Sequence, residues 1–175
     1  MMSKTIPLIP GQNYHIFNSG NNHESIFRDE KNYRYFLNLF QKHVLPIAET
    51  YAYCLLPNHF HFLVRLKEHK DLPGFGNLAG LEKPHLSFSR LFNSYTKAFN
   101  KTYQRSGSLF EKPFKRKVIT SHTHLTHLVI YIHQNPQRHG ITSDFRNWPF
   151  SSYQAIVSPQ DTWLDETTVF TWFNG

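Results

Sequence analysis

The stretch Leu55–Val64, LLPNHFHFLV, decides how the chain folds. Strand side chains alternate with period two. Extended, the run sends His59, His61, Leu63 and Arg65 to one side and Phe60, Phe62, Val64 and Leu66 to the other. The second set is uniformly apolar and belongs in a core. The first places two imidazoles side by side, a poor choice for a core and a good one for holding a metal ion. With 12 histidines in the chain, chance proximity competes with that view. The setting favours the pair: an apolar strand, entered through a Pro57-Asn58 turn, with both rings on one face.

Upstream, Ile47 to Leu55 supplies the partner strand of a hairpin, with Tyr51, Tyr53 and Leu55 alternating against Ala52, Cys54 and Leu56. Pro46 ends a helix that Asp29 caps and that runs to about His43. Its apolar stripe is Tyr33, Phe36, Leu37, Phe40 and Val44. Before it, Tyr14 to Phe17 is a short strand stopped by Asn18-Ser19-Gly20-Asn21. Downstream, residues 67–84 are rich in glycine, proline and charge and read as a loop or small insertion. Their glycines match neither the dinucleotide fingerprint nor the P-loop spacing. A second helix spans about Leu86 to Gln104 on Phe88, Leu91, Phe92, Tyr95 and Phe99, and Phe114 to Ile119 is a further strand. Ser121 or Thr123 caps a third helix with core positions Leu125, Leu128, Val129 and Ile132; Asn135-Pro136 should stop it near Gln134. Trp148, Phe150, Trp163, Phe170 and Phe173 indicate a tail that packs down, with a last helix near Asp165 to Phe173.

Strand, helix, strand, strand, helix, strand is the split βαβ, ferredoxin-like arrangement of an α+β fold with an antiparallel sheet. One domain covers 1–175, with a core of about 14–153, the insertion at 67–84 and a C-terminal tail at 154–175. The Phe60-Phe62-Val64 side should face the first two helices. The histidines then lie on the other face, where the additional third helix can meet them.

Lysine and arginine number 19 against 12 acidic residues, a net charge of +7, which suits a polyanionic partner such as nucleic acid as well as it suits a merely basic soluble protein. Candidate DNA contacts are Arg28, Lys31 and Arg34 near the first helix start, Lys97, Lys101 and Arg105 on the second helix, and the run Lys112, Lys115, Arg116 and Lys117. Basic residues on an edge strand also guard against aggregation, but the interleaved aromatics favour nucleic acid. Cys54 is the only cysteine, so neither an intrachain disulfide nor a cysteine zinc cluster is possible. The N-terminal MMSKTIPLIPG lacks a signal peptide's apolar core, and no run reaches the ~18 apolar residues of a membrane span. An intracellular, cytoplasmic protein is expected, with no membrane partner and acting as a monomer or homodimer.

At ~100° per residue, Tyr131 falls beside the core stripe of the third helix, and His124, His127 and Asn135 share its flank. Two imidazoles leave a divalent ion short of ligands. Asn135 is the preferred third donor; Gln134 and His127 are alternatives. A mixed nitrogen and oxygen set suits Mg²⁺ or Mn²⁺, whereas His127 would bring zinc. A metal beside a tyrosine points to phosphoryl transfer with a covalent step. A phenol, with a pKa near ~10, attacks weakly until it is activated.

Leu56-Pro57-Asn58-His59-Phe60-His61 resembles the His-hydrophobic-His motif of the HUH single-strand endonucleases. Tyr131-Ile132-His133-Gln134-Asn135-Pro136 resembles the single-tyrosine helix of the REP-associated tyrosine transposases, relatives of the small single-tyrosine insertion-sequence transposases. Leu91 to Phe114 and Asp144 to Tyr153 are similar to the same family, and the likeness runs from about Tyr14 to Tyr153. It implies a ferredoxin-like fold, Mg²⁺- or Mn²⁺-dependent cleavage and strand transfer of single-stranded DNA, a 5′-phosphotyrosine intermediate, and hairpin or repeat DNA as substrate. By position it implies Tyr131 as nucleophile and His59, His61 and Asn135 as metal ligands. The insertion-sequence relatives commonly carry glutamine where Asn135 stands.

Two other functions compete. A non-catalytic RNA- or DNA-binding module would use a similar four-stranded sheet as a stacking platform. A zinc hydrolase would need an HExxH arrangement or cysteine ligands, and the chain has neither.

Overall fold

The structure is a computed structural model that describes residues 6–71, 82–158 and 161–174. Its elements are β1 (Asn13–Ser19), α1 (Glu30–His43), β2 (Ala48–Leu56), β3 (His59–Leu66), α2 (Pro84–Thr102), β4 (Lys115–Ile119), α3 (His122–Arg138), α4 (Tyr153–Val157) and α5 (Glu166–Phe173). The four strands pair antiparallel in the order β2-β3-β1-β4. This is the α+β, ferredoxin-like sheet expected from the order of elements.

Local chemistry sets the pieces. Asp29 accepts from the Asn32 amide at 3.0 Å, and Asn32 Oδ1 accepts from the Asp29 amide at 3.3 Å, a reciprocal cap that starts α1. The Pro57-Asn58 turn is tied from outside: Pro57 O accepts from Ile26 and Phe27, and Asn58 O from Gly20. Gly20 is required there, because a Cβ would meet Glu24 O at 2.1 Å.

The alternation of β3 works as expected. Phe60 and Phe62 face α1 and α2, with ring centroids at 5.2 Å for Phe60–Phe36, 4.1 Å for Phe62–Phe40 and 5.6 Å for Phe60–Phe92. On the opposite face α3 lies over β2 and β3. Its position is held from the side. Residues 148–152 run along the outer edge of β2, with Leu55 donating to Phe150 O at 2.9 Å, Ser152 to Tyr53 O at 3.0 Å and Trp148 Nε1 to Leu55 O at 2.9 Å. Ser152 Oγ also meets His133 Nε2 of α3 at 2.8 Å. The tail therefore covers an edge strand and clamps the third helix at once. Farther on, Trp163 stacks on Tyr53 at 5.5 Å, as a packed-down tail requires.

Three local expectations change. Leu39 rather than Leu37 completes the fully buried stripe of α1, and Leu37 is only partly covered. The pairing of β2 with β3 shifts between Thr50 and Ala52, so Tyr51 is a bulge that breaks the simple alternation read there. Finally, α3 does not stop before Pro136 but continues to Arg138. Pro136 lacks an N–H, but Asn135 Nδ2 bonds the Tyr131 carbonyl at 2.8 Å and steadies this turn. The true stop is Gly140, at φ +67°, where Gly140 N donates to Gln137 O and Ile141 N to Pro136 O. Most of the 67–84 insertion, residues 72–81, lies outside the described residues. Among the described residues no helix is long and apolar enough to cross a membrane.

Candidate metal and nucleophile site

The histidine face of β3 continues across β1 and β4. Phe17 of β1 pairs with His61, and His15 with Leu63, so His15 and Phe17 share that face. On the edge strand Lys115 pairs with Phe17 and Lys117 with His15, which adds two cations to it. Helix α3 then brings Tyr131 down edge-on, with ring centroids 5.6 Å from His61 and 6.4 Å from His15. Tyr131 is half-buried, so its ring is held while part of it meets solvent.

Hydrogen bonds leave two candidate ligand atoms without a partner, His61 Nε2 and Asn135 Oδ1. His59 Nδ1 lies 2.7 Å from Asn58 Oδ1, an acceptor, so Nδ1 carries the proton and Nε2 the lone pair. His61 Nδ1 lies 2.9 Å from His15 Nε2, and His61 Nε2 is buried with no partner. Asn135 is 0% exposed; its Nδ2 is used on Tyr131 O, and no hydrogen bond of normal geometry reaches its Oδ1. Each buried polar atom without a partner costs ~1–3 kcal/mol. Two such atoms, the Nε2 lone pair of His61 and the amide oxygen of Asn135, are donors that could hold a divalent cation.

The electrostatics agree. Burial, then the charge of His139, holds His59 down at about 4, although Asn135 beside it favours the charged form. Burial, then His15, His59 and His139, holds His61 at about 2. Burial, then Lys117 and His124, holds His15 at about 4. At neutral pH all three rings are uncharged, as metal ligation and its hydrogen-bonded support require.

Of the alternative third ligands, Gln134 accepts from Arg138 at 3.1 Å and lines an apolar groove of about 290 Å³ with α4 and α5. His127 is exposed, and among the described residues no three His, Cys, Asp or Glu side chains cluster as a zinc site would need. The proposed DNA contacts divide. Lys115 and Lys117 share the face of Tyr131, with Lys115 2.6 Å from Glu111. Arg116 turns to the other face, its guanidinium 4.1 Å over Phe114, and Lys112 is exposed beside it. Lys31, Arg34, Lys97 and Lys101 are exposed on the two helices of the opposite layer, with Arg34 paired to Glu30. Arg105 forks onto Glu24 at 2.7 and 2.6 Å, and Arg28 pairs with Glu24 at 3.3 Å over the Tyr103 ring.

Three site residues went unread in the sequence. Arg138 lies 5.6 Å from the Tyr131 ring, and the His139 ring lies 4.8 Å from that of His59. Both would have been found by continuing the Tyr131–Asn135 flank one turn past Pro136. His15 had no such signal, because only strand register places it.

No family model matches the chain. Over 119 residues it is 31% identical to a Haemophilus influenzae protein assigned provisionally to the REP-associated tyrosine transposases, and the match spans 65% of this chain and 65% of that protein's length. Among solved structures it superposes on a REP-associated tyrosine transposase bound to a REP hairpin with a TM-score of 0.67 at 20% identity, over 91% of this chain and 87% of that one. At that identity the superposition establishes the fold, and with the sequence match it bears out the likeness read from the two motifs.

Proposed function

We propose that this chain is a REP-associated tyrosine transposase, cutting and rejoining single-stranded DNA at repeat hairpins inside the cell. Tyr131 is the nucleophile. His59 Nε2, His61 Nε2 and Asn135 Oδ1 are the atoms that would hold Mg²⁺ or Mn²⁺. One observation carries this reading: Tyr131 stands against His61 at 5.6 Å, beside the unpartnered Nε2 of His61 and Oδ1 of Asn135. Bound there, the ion would polarise the scissile phosphate and offset charge on its oxygens.

The chain's own residues do the remainder. Tyr131 Oη attacks phosphorus in line, forms the Oη–P bond and breaks the P–O3′ bond. The phenol proton passes to solvent, and the leaving oxygen takes a proton to become a 3′ hydroxyl. The phosphodiester bond energy is kept in the 5′-phosphotyrosine, so a 3′ hydroxyl of the same or another strand can reverse the step without ATP. Arg138 puts a guanidinium near the Tyr131 ring, and Lys115 and Lys117 extend positive charge along the same face for the DNA backbone. Nucleophile and ligands belong to one chain, which supports cleavage by a monomer.

The binding-module alternative fares less well. An RNA-recognition sheet keeps its stacking face open, whereas α3 covers β2 and β3 on this face. The test is incubation with single-stranded hairpin DNA and Mn²⁺. Wild type should give a denaturation-resistant adduct on Tyr131, and Tyr131→Phe should give none while still binding the hairpin. Undiminished adduct in Tyr131→Phe would sink the assignment.

A further inference from the structure

We infer that His15 is a positioning residue that sets the tautomer of His61, and with it whether His61 turns a lone pair or a proton toward the ion. The inference rests on the metal-site reading given above for the ion, but not for the hydrogen bond itself.

His15 Nε2 and His61 Nδ1 are 2.9 Å apart, and the two rings meet edge to edge with centroids 5.1 Å apart and 26° between their planes. Both are buried, at 8% and 6% exposure, and Phe17 packs against both rings, with centroids 4.6 Å from His15 and 6.0 Å from His61. One proton lies between the two nitrogens. If His15 Nε2 carries it, His61 must carry its own on Nε2, a buried donor with nothing to accept it. If His61 Nδ1 carries it, His61 Nε2 is a bare lone pair, and His15 keeps its proton on Nδ1, which is not among the buried atoms lacking a partner. The second arrangement strands no buried N–H, and it is the one that can bind a cation.

His59 shows the same logic with different chemistry. Its Nδ1 faces Asn58 Oδ1 at 2.7 Å, and an amide oxygen only accepts. Each candidate ligand ring is thus oriented through Nδ1, as metal-bound histidines generally are. The partner of His61 is another imidazole nitrogen, donor or acceptor according to its own tautomer. That partner comes from β1 through register, opposite Leu63, and not from the ligand motif.

Long-range ¹H–¹⁵N NMR on histidine-labelled, metal-free protein reads the tautomer directly, and titration with Mn²⁺ reads affinity. In wild type His61 should be protonated on Nδ1. His15→Gln, whose Oε1 reaches the Nε2 position and accepts, should keep that tautomer and wild-type Mn²⁺ affinity. His15→Phe keeps the ring but no acceptor; it should lose the Nδ1 preference and bind Mn²⁺ about 10–100-fold more weakly. If His15→Phe does not fold, His15→Asn, whose carboxamide stops short of His61, replaces it. Protonation of wild-type His61 on Nε2, or wild-type tautomer and affinity in His15→Phe, would overturn the inference. Wild type that shows the Nδ1 tautomer but no Mn²⁺ binding would refute the metal reading and leave the tautomer role of His15 standing.

Discussion

Replacing Asn135 by Asp tests the site with almost no change of shape. Asn135 is 0% exposed, its Nδ2 bonds Tyr131 O at 2.8 Å, and its Oδ1 has no partner. A carboxylate there loses the hydrogen bond, worth ~1 kcal/mol, and turns an oxygen toward the Tyr131 carbonyl. Both burial and that contact favour the protonated acid. A fully buried carboxyl rises by ~3 pKa units or more, and each unit is ~1.4 kcal/mol. The metal-free variant should therefore be ~4–5 kcal/mol less stable than wild type at pH 7. The folded pKa lies above the unfolded one, so the folded state binds the extra proton. The charge part of the deficit is absent near pH 4 and grows as pH rises toward neutrality. Mn²⁺ should reverse the sign by pairing with the carboxylate, and should raise the melting temperature of Asn135→Asp more than that of wild type. Urea unfolding at several pH values, with and without Mn²⁺, measures all of this as variant minus wild type. A metal-free variant as stable as wild type at pH 7 would refute the closed, low-dielectric environment assigned to Oδ1. A deficit that Mn²⁺ does not relieve would refute its role as a ligand.

Three further outcomes are expected. Burial holds His133 at about 4, against 6.5 unfolded, and the rings of His15, His59 and His61 are depressed as well; stability should be full above pH ~6.5 and fall by up to ~1.4 kcal/mol per pH unit for each such ring as pH drops toward 4, and a flat profile across that window would contradict their burial as neutral rings. Ser152→Ala removes the Oγ that meets His133 Nε2, the Tyr53 amide and Tyr53 O; it should cost ~1–3 kcal/mol in thermal unfolding and slow adduct formation by loosening α3, whereas unchanged stability would show that the clamp does not hold the helix. Lys115→Ala with Lys117→Ala should weaken hairpin binding and reduce the salt slope by about one for each phosphate no longer neutralised; an unchanged slope would place the DNA elsewhere.

Much of the site was legible because it rests on local geometry. Period-two alternation in LLPNHFHFLV alone separates Phe60 and Phe62 from His59 and His61, and the structure keeps that division. The four-residue spacing puts Tyr131 and Asn135 on one helical flank wherever the helix lies, and here they share a hydrogen bond. The paired arginines were not legible: nothing local tells Arg105 that Glu24 will be 2.7 Å away. The end of α3 was not legible from Pro136, because the helix runs on to Arg138 and stops at the Gly140 turn beyond it.

By itself, then, the sequence determined the faces of β3, the apolar stripes of the helices and the pairing of a tyrosine with an asparagine. Those follow from backbone periods that every residue obeys. Only the tertiary structure decided that α3 covers the histidine face, since either face could have taken a third helix. Residues 148–152, hydrogen-bonded along the edge of β2 and joined to His133, make that choice. Strand register likewise set His15 against His61 across 46 positions of chain. Both depend on contacts between segments far apart in sequence, whose geometry no local pattern carries.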